Sequence, residues 1–282
     1  MIPVLNVSGV GIARAWERSL IELYSKGCEL ETEYDKPGDP PSKDATMLIT
    51  IEQPLSEPMI HRDMPGGLED LQEYVMEVCD GIKDHLIRDP EDPSDKRWEY
   101  TYHQRLFEYT SHGFNPFKGT IAVECDQIEV MCQKLAVSPH TRRAQAITWK
   151  VWEDNDCYDP ACLQSVWCRI LNGKLCMNVR FRSNDAYKAA FMNIFALVQL
   201  QKLITDRVAE LSGMPLEVGR YCHIADSYHI YGSNMDEFEN RFLGAYQTRG
   251  FMDRTFEYLT FAKPIMDEAK PGILKKVEEM GR

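Results

Sequence analysis

No uninterrupted apolar run in the 282 residues reaches the roughly 20 needed to cross a bilayer. The first residues, MIPVLNVSGVGIARAW, lack the charged, apolar and small-residue zones of a secretory signal. A cytoplasmic protein with no membrane partner is expected. Positive charge is scarce: 32 Lys and Arg against 44 Asp and Glu give a net charge of −12. That balance argues against DNA or general nucleic-acid binding, which is driven by phosphate neutralisation. It leaves room for a local basic pocket around one phosphate. Zinc-ligand spacing is missing too. Cys157, Cys162, Cys168 and Cys176 crowd together without the paired spacing of a metal site, so no metal is expected. In a reducing compartment most of the nine cysteines read as small buried hydrophobes.

What the chain does have is a hairpin with chemistry at its base. Asn172-Gly173 is a two-residue turn signal, because a type I′ turn needs φ > 0 at both central positions. Beyond it Leu175, Met177, Val179 and Phe181 alternate with Cys176, Asn178, Arg180 and Arg182, the period of a strand. With Leu171 facing Lys174 and the register continued, Cys162 falls opposite Ser183, one step from Arg182. A guanidinium beside a thiol lowers its pKa and supplies thiolate near neutral pH, so the hairpin presents Cys162 as a nucleophile beside an anion-binding pair.

Pro160-Ala161-Cys162, Asn172-Gly173-Lys174-Leu175, Arg182-Ser183-Asn184-Asp185 and Asn193 resemble the active-site core of the thymidylate synthase and pyrimidine hydroxymethylase family. Arg142-Arg143 upstream and His229-Ile230-Tyr231 downstream extend the likeness, which is strongest from Trp98 to Ser233. The resemblance implies a Cys162 thiolate that adds to carbon 6 of a pyrimidine nucleoside monophosphate. Arg182, Ser183, Arg142 and Arg143 would hold the 5′-phosphate, the last two reaching across a homodimer. His229 and Tyr231 would bind the sugar 3′-hydroxyl, and Asp185 the pterin of 5,10-methylenetetrahydrofolate or a methanopterin-type analogue. Asn193 can donate to a 4-oxo group and accept from the neighbouring ring N–H, matching uracil rather than cytosine, so dUMP is the expected substrate and methyl transfer giving dTMP the expected reaction. A 5-hydroxymethylase, or a nucleotide-binding relative without activity, would fit the same motifs.

The chain departs from the family pattern in several places. Ala161 and Leu163 flank the cysteine where proline and histidine are usual, a feature of archaeal-type and biosynthetic members. Asp226 stands one residue further upstream than usual, and the loop 31–44 has no phosphate-binding arginine, only Lys36 and Lys43. The end, KKVEEMGR, does not look like the family's short apolar tail. Glu73 is the candidate for the family's proton-relaying glutamate, with Glu57 and Glu77 as alternatives. Tyr102 fits the tyrosine near the cysteine, although Tyr100 to Arg105 also reads as an aromatic stretch of strand.

Periodicity and turn signals predict helices over Ile12 to Lys26, Gly67 to Gly81, Asp126 to Leu135 and Phe191 to Leu211. Strands are predicted over Thr46 to Ile51, Ala144 to Val151 and Tyr221 to Tyr231. Together they imply one α+β domain over 1–282, a large mixed sheet flanked by helices, with flexible loops at 31–44 and 88–98. The family resemblance implies in addition that two such sheets pair back to back in a homodimer.

Overall fold

The computed structural model describes residues 1–89, 92, 94–115 and 119–280. Its frame is a seven-stranded mixed sheet in the order β1 (Val4–Gly9), β3 (Ser42–Ile51), β10 (Glu217–Ile230), β9 (Lys174–Asp185), β8 (Leu163–Leu171), β7 (Gln145–Ile147), with β2 (Cys28–Leu30) beside β3. The predicted α+β class holds. Small pairs β4 (Ile60–His61) with β11 (Thr255–Phe256), and β5 (Tyr109–Asn115) with β6 (Gly119–Cys125), lie off the main sheet.

The hairpin forms where its turn residues allow. Asn172 and Gly173 have φ of 52° and 74°, and the strand alternation buries Leu175, Met177, Val179 and Phe181 on one face. That face packs on α1 (Ile12–Lys26), α4 (Gln127–Val137) and α6 (Ala190–Ser212), which contribute Trp16, Leu20, Met131, Leu135, Phe191 and Val198 to a shared core. Alternate residues on the opposite face, among them Thr46, Leu48, Thr50, Trp167, Asn178 and Ile224, stay partly exposed. β1 comes so close to α1 that a Cβ at Gly9 would lie 2.7 Å from the Ala15 nitrogen, which only glycine tolerates.

α2 (Leu68–Asp80) ends at Gly81 in the left-handed conformation, φ 67°. A short α3 (Tyr102–Phe107) replaces the strand that Tyr100 to Arg105 could have formed, because the Thr101 side chain accepts from the Gln104 amide at 3.0 Å and caps a helix. The strand predicted over Ala144 to Val151 is shorter for a similar reason. The Asp154 carboxylate takes the Lys150 amide at 2.5 Å and the buried Arg105 guanidinium at 3.1 Å, turning the chain into α5 (Val151–Asp154). Beyond β10 the chain makes α7 (Met235–Glu237) and α8 (Gly244–Thr248), then α9 (Lys263–Met280), whose Ile273 and Val277 pack on Met76 of α2.

β3 begins at Ser42, inside the segment read as a loop. Of the segment 88–98, residues 90, 91 and 93 lie outside the described residues; its ends are tied by Arg88 N–H to the Trp98 carbonyl at 2.8 Å and Trp98 N–H to the Leu86 carbonyl at 3.1 Å. Among the described residues no helix is long and apolar enough to cross a membrane.

Candidate active site around Cys162

The hairpin keeps its expected register from Leu171↔Lys174 to Ser165↔Arg180, then shifts by one residue at a bulge, so that Leu163 pairs with Phe181. Cys162 therefore lies opposite Arg182 rather than Ser183, and the Arg182 amide donates to the Cys162 carbonyl at 2.9 Å. The Arg182 side chain does not simply stand beside the thiol. Its Nε donates to the Ala161 carbonyl at 3.1 Å and one terminal nitrogen to the Pro160 carbonyl at 2.6 Å, clamping the chain just before the cysteine. Burial pushes the Cys162 thiol above its ordinary pKa, and the nearby Arg182 charge offsets this only in part. The expectation of a lowered pKa is overturned, because desolvation of the thiolate outweighs one guanidinium.

Around the thiol stand four phenols. Cys162 is close enough to act electrostatically on Tyr74, Tyr100, Tyr102 and Tyr231. Tyr74, Tyr100 and Tyr102 line a cleft of about 420 Å³ together with Glu77, Arg97 and Asp159. The Tyr102 hydroxyl accepts from the Leu163 amide at 3.3 Å, which brings α3 against the bulge. Burial holds the Tyr102 phenol neutral, well above its ordinary pKa.

The three glutamates separate clearly. Glu73 is buried in ion pairs with Lys83 at 2.7 Å and Lys276 of α9 at 2.8 Å. Burial there would raise its pKa, but the two lysines outweigh it and hold the carboxyl low. Glu57 accepts from the backbone amides of Met59, Tyr258 and Leu259 at 2.8–3.0 Å, a purely local anchor. Glu77 lines the cleft, and burial raises its pKa against the opposing pull of Lys83.

Asn193, in the first turn of α6, is buried, and its Oδ1 accepts a hydrogen bond from Tyr74. Sequence reasoning missed Tyr74. The available signal was the helix period, which puts it three residues before Glu77 on the same face.

On the other side of the site, β10 resolves the displaced aspartate. A bulge between Ala225 and Tyr228 turns Asp226 outward, where it pairs with Arg180 at 3.0 and 3.1 Å on the exposed face. Ser227 takes the inward position, paired with Ser183 of β9. Its hydroxyl donates to Asp44 Oδ2 at 2.6 Å and lies 3.3 Å from His229 Nδ1. With the serine proton directed at Asp44, His229 donates from Nδ1 to the serine oxygen, leaving the Nε2 lone pair free. Nε2 is buried and has no partner among the described residues, and burial lowers the His229 pKa, keeping the ring neutral. Tyr231 stacks edge-on to His229, ring centroids 4.5 Å apart. Asp185 sits opposite His229 in the β9–β10 register, and its Oδ1 accepts from the amides of Tyr187 and Lys188 at 3.0 and 2.8 Å. Asp44 lies within the segment whose sequence reads as a loop, so sequence reasoning misses it too.

The structure thus gathers Cys162, Tyr102, Arg182, Ser183, Asp185, Asn193, His229 and Tyr231 at one end of β8, β9 and β10. It does not bring Arg142 and Arg143 there. Both are exposed, and they line a separate groove of about 750 Å³ with Lys134 and His140 that shares no lining residue with the cleft. Lys43 pairs with Glu29 at 2.9 Å, and Lys36 is exposed.

The site is thus a cysteine at a sheet end near four phenols, with a buried amide from α6 and a neutral imidazole from β10, in a mixed α+β fold. A family model described as Thymidylate synthase matches residues 85–247. A protein named "Putative thymidylate synthase" from Methanocaldococcus jannaschii is 30% identical over 234 residues, covering 81% of this chain and 91% of that one. Its namesake in Methanosarcina acetivorans is 28% identical over 229 residues, covering 81% and 90%. In fold, the chain is similar to the thermostable thymidylate synthase A from Bacillus subtilis, with a TM-score of 0.59, 16% identity, and coverage of 82% of this chain and 83% of that one. This chain belongs to the thymidylate synthase family, whose members use a folate-type one-carbon carrier.

Proposed function

We propose that the protein transfers a one-carbon unit to carbon 5 of dUMP, through a covalent bond between Cys162 and carbon 6, giving dTMP. The observation that carries this is that Asn193 and His229, at the end of the sheet that also holds Cys162, each have an uncommitted polar atom: the Asn193 amide nitrogen, which has no hydrogen-bond partner among the described residues, and His229 Nε2.

In this reading the Cys162 sulfur bonds to carbon 6 and the displaced electron pair moves to the 4-oxo group, where the Asn193 amide N–H₂ stabilises it. His229 Nε2 accepts the sugar 3′-hydroxyl proton, with Tyr231 beside it. Arg182 and Ser183 hold the phosphate; one terminal nitrogen of Arg182 has no partner among the described residues. Remote binding energy then fixes the ring over the thiol. Glu77, with its raised pKa and its place in the cleft, suits the proton relay better than Glu73, which is held as a carboxylate by two lysines. Tyr102 stays a neutral hydroxyl beside the sulfur.

Asp185 fits a reduced pterin, folate or methanopterin type. Its Oδ1 is fixed by two backbone amides while Oδ2 has no partner among the described residues, an acceptor for the N–H edge of such a ring. When bound, the carrier supplies the one-carbon unit and the hydride that completes a methyl group. Arg142 and Arg143 have no partner for either guanidinium among the described residues, as befits phosphate ligands donated to a second copy of the chain. The half-exposed sheet face supports the corresponding back-to-back homodimer.

One observation favours a second reading. Glu77, Arg97, Glu99 and Asp159 make the cleft strongly charged, a lining that holds water near carbon 5 and suits hydroxymethylation. Tritium release from carbon 5 of labelled dUMP, dCMP, UMP and CMP, with dihydrofolate absorbance followed in parallel, decides. Release from dUMP with dihydrofolate formed is expected. Release without oxidation of the carrier supplied to its dihydro form establishes the hydroxymethylase, and no release with either carrier removes the enzyme reading.

A further inference from the structure

Asn193 has two nearly isosteric ends, and only a fixed orientation lets it discriminate between bases. A carboxamide turned one way sets its N–H₂ at the 4-position of the ring and its oxygen toward N3; flipped, the two exchange. The first complements the 4-oxo group and N3–H of uracil, and the second the 4-amino group and bare N3 of cytosine. A donor that takes the second lone pair of the amide oxygen therefore decides which base the amide recognises.

We propose that Tyr74 sets the base preference of this site by capturing the Asn193 carbonyl oxygen and turning the amide N–H₂ toward the 4-position of the pyrimidine. The inference rests on the nucleotide reading given above and adds the specificity determinant. Asn193 is buried at 7% exposure, so the amide cannot turn to bulk water for partners. Its Oδ1 accepts from the Tyr74 hydroxyl, and this is the hydroxyl's one hydrogen bond among the described residues. This partly buried phenol has a single proton to place, and here it goes to the amide oxygen. Burial also keeps the phenol far above its ordinary pKa, so it remains a donor throughout the working pH range. Flipping the amide would make the phenol oxygen an acceptor of its N–H₂ and cost the phenol proton its acceptor at this amide. The two residues come from different elements, α2 and α6, so the preference is built into helix packing. Tyr74 also lines the cleft and lies close enough to Cys162 for the two to interact electrostatically.

The test is equilibrium binding of dUMP and dCMP, without the pterin carrier, to the wild type, Tyr74→Phe, Asn193→Asp and the double variant. Tyr74→Phe removes one oxygen, and a ratio of affinities does not depend on how much protein is folded. The wild type is expected to prefer dUMP, and Tyr74→Phe to lose about tenfold of that preference, chiefly by gaining affinity for dCMP. A carboxylate has two equivalent oxygens and no orientation to fix, so in the Asn193→Asp background Tyr74→Phe should leave the ratio unchanged. Equal weakening of both nucleotides by Tyr74→Phe, with the ratio intact, would mean a packing role and overturn the proposal. So would a shift of the same size in both backgrounds. A wild type that binds no pyrimidine monophosphate would refute the nucleotide reading, and this inference with it.

Discussion

The amide of Arg182 donates to the carbonyl of Cys162 at 2.9 Å, while the side chain of the same arginine closes on the carbonyls of Pro160 and Ala161. The arginine is thus first a clamp on the nucleophile's backbone. Its charge acts on a thiol that burial has already made reluctant to ionise.

Alkylation of Cys162 by iodoacetamide, followed by mass spectrometry in the nucleotide-free protein, should therefore rise with pH to a midpoint above the ordinary thiol value of about 8.5. A midpoint below that value would show that Arg182 outweighs burial. Cys162→Ser should bind dUMP as the wild type does, with turnover below about a thousandth.

Asp44 and Ser227 fix which nitrogen of His229 carries the proton. Asp44→Asn can donate to the serine oxygen, which reverses the chain and puts the proton on Nε2. The 3′-hydroxyl must then accept from Nε2–H rather than donate to that nitrogen, and the affinity advantage of dUMP over its 3′-deoxy analogue should fall, by less than about the tenfold worth of one buried hydrogen bond. An unchanged ratio would disconnect Asp44 from sugar recognition.

Glu77→Gln is expected to lower kcat by about 10²-fold with little change in melting temperature. Glu73→Gln should do the opposite. It weakens the tie between α2 and α9 through Lys276, lowering the melting temperature while kcat stays within a few-fold. If Glu73→Gln proves to be the kinetic variant, the assignment reverses.

Mixing the inactive variants Cys162→Ala and Arg142→Ala/Arg143→Ala tests whether the arginines serve a partner's site. In a hybrid homodimer one site would have both its own cysteine and the partner's arginines, so random mixing should restore about a quarter of the sites. Arginines acting within their own chain would restore none.

Stability should fall in acid through Glu17. This buried carboxylate accepts from Arg254 at 2.6 and 2.8 Å and lies 3.3 Å from His61, tying α1 to β4 and to the turn that leads into β11. Burial would raise its pKa, but His61 and Arg254 outweigh that and hold it low. A carboxyl lowered on folding stabilises fully above its unfolded value, about 4.3, and loses that contribution as pH drops through the folded value. Denaturant midpoints should decline below that pH, and Glu17→Ala, which strands Arg254, should cost about 3–5 kcal/mol at neutral pH.

Local signals in the chain determined the hairpin, the boundaries of α1, α2 and α6, and the residues that mark the family. Asn172-Gly173 can make a type I′ turn by its own backbone preferences, and alternation or helical period needs only neighbours in sequence. What those signals could not decide depended on where one extra residue is accommodated or which distant group arrives. A bulge at Gln164 moved Cys162 from Ser183 to Arg182, and one in β10 turned Asp226 out and Ser227 in, because a single inserted residue exchanges the two faces of a strand. Asp44 became the partner of Ser227 only because β3 pairs with β10, and Tyr74 met Asn193 only because α2 packs on α6. The thiol's pKa was likewise decided by burial, which is set by the whole fold and not by the arginine beside it.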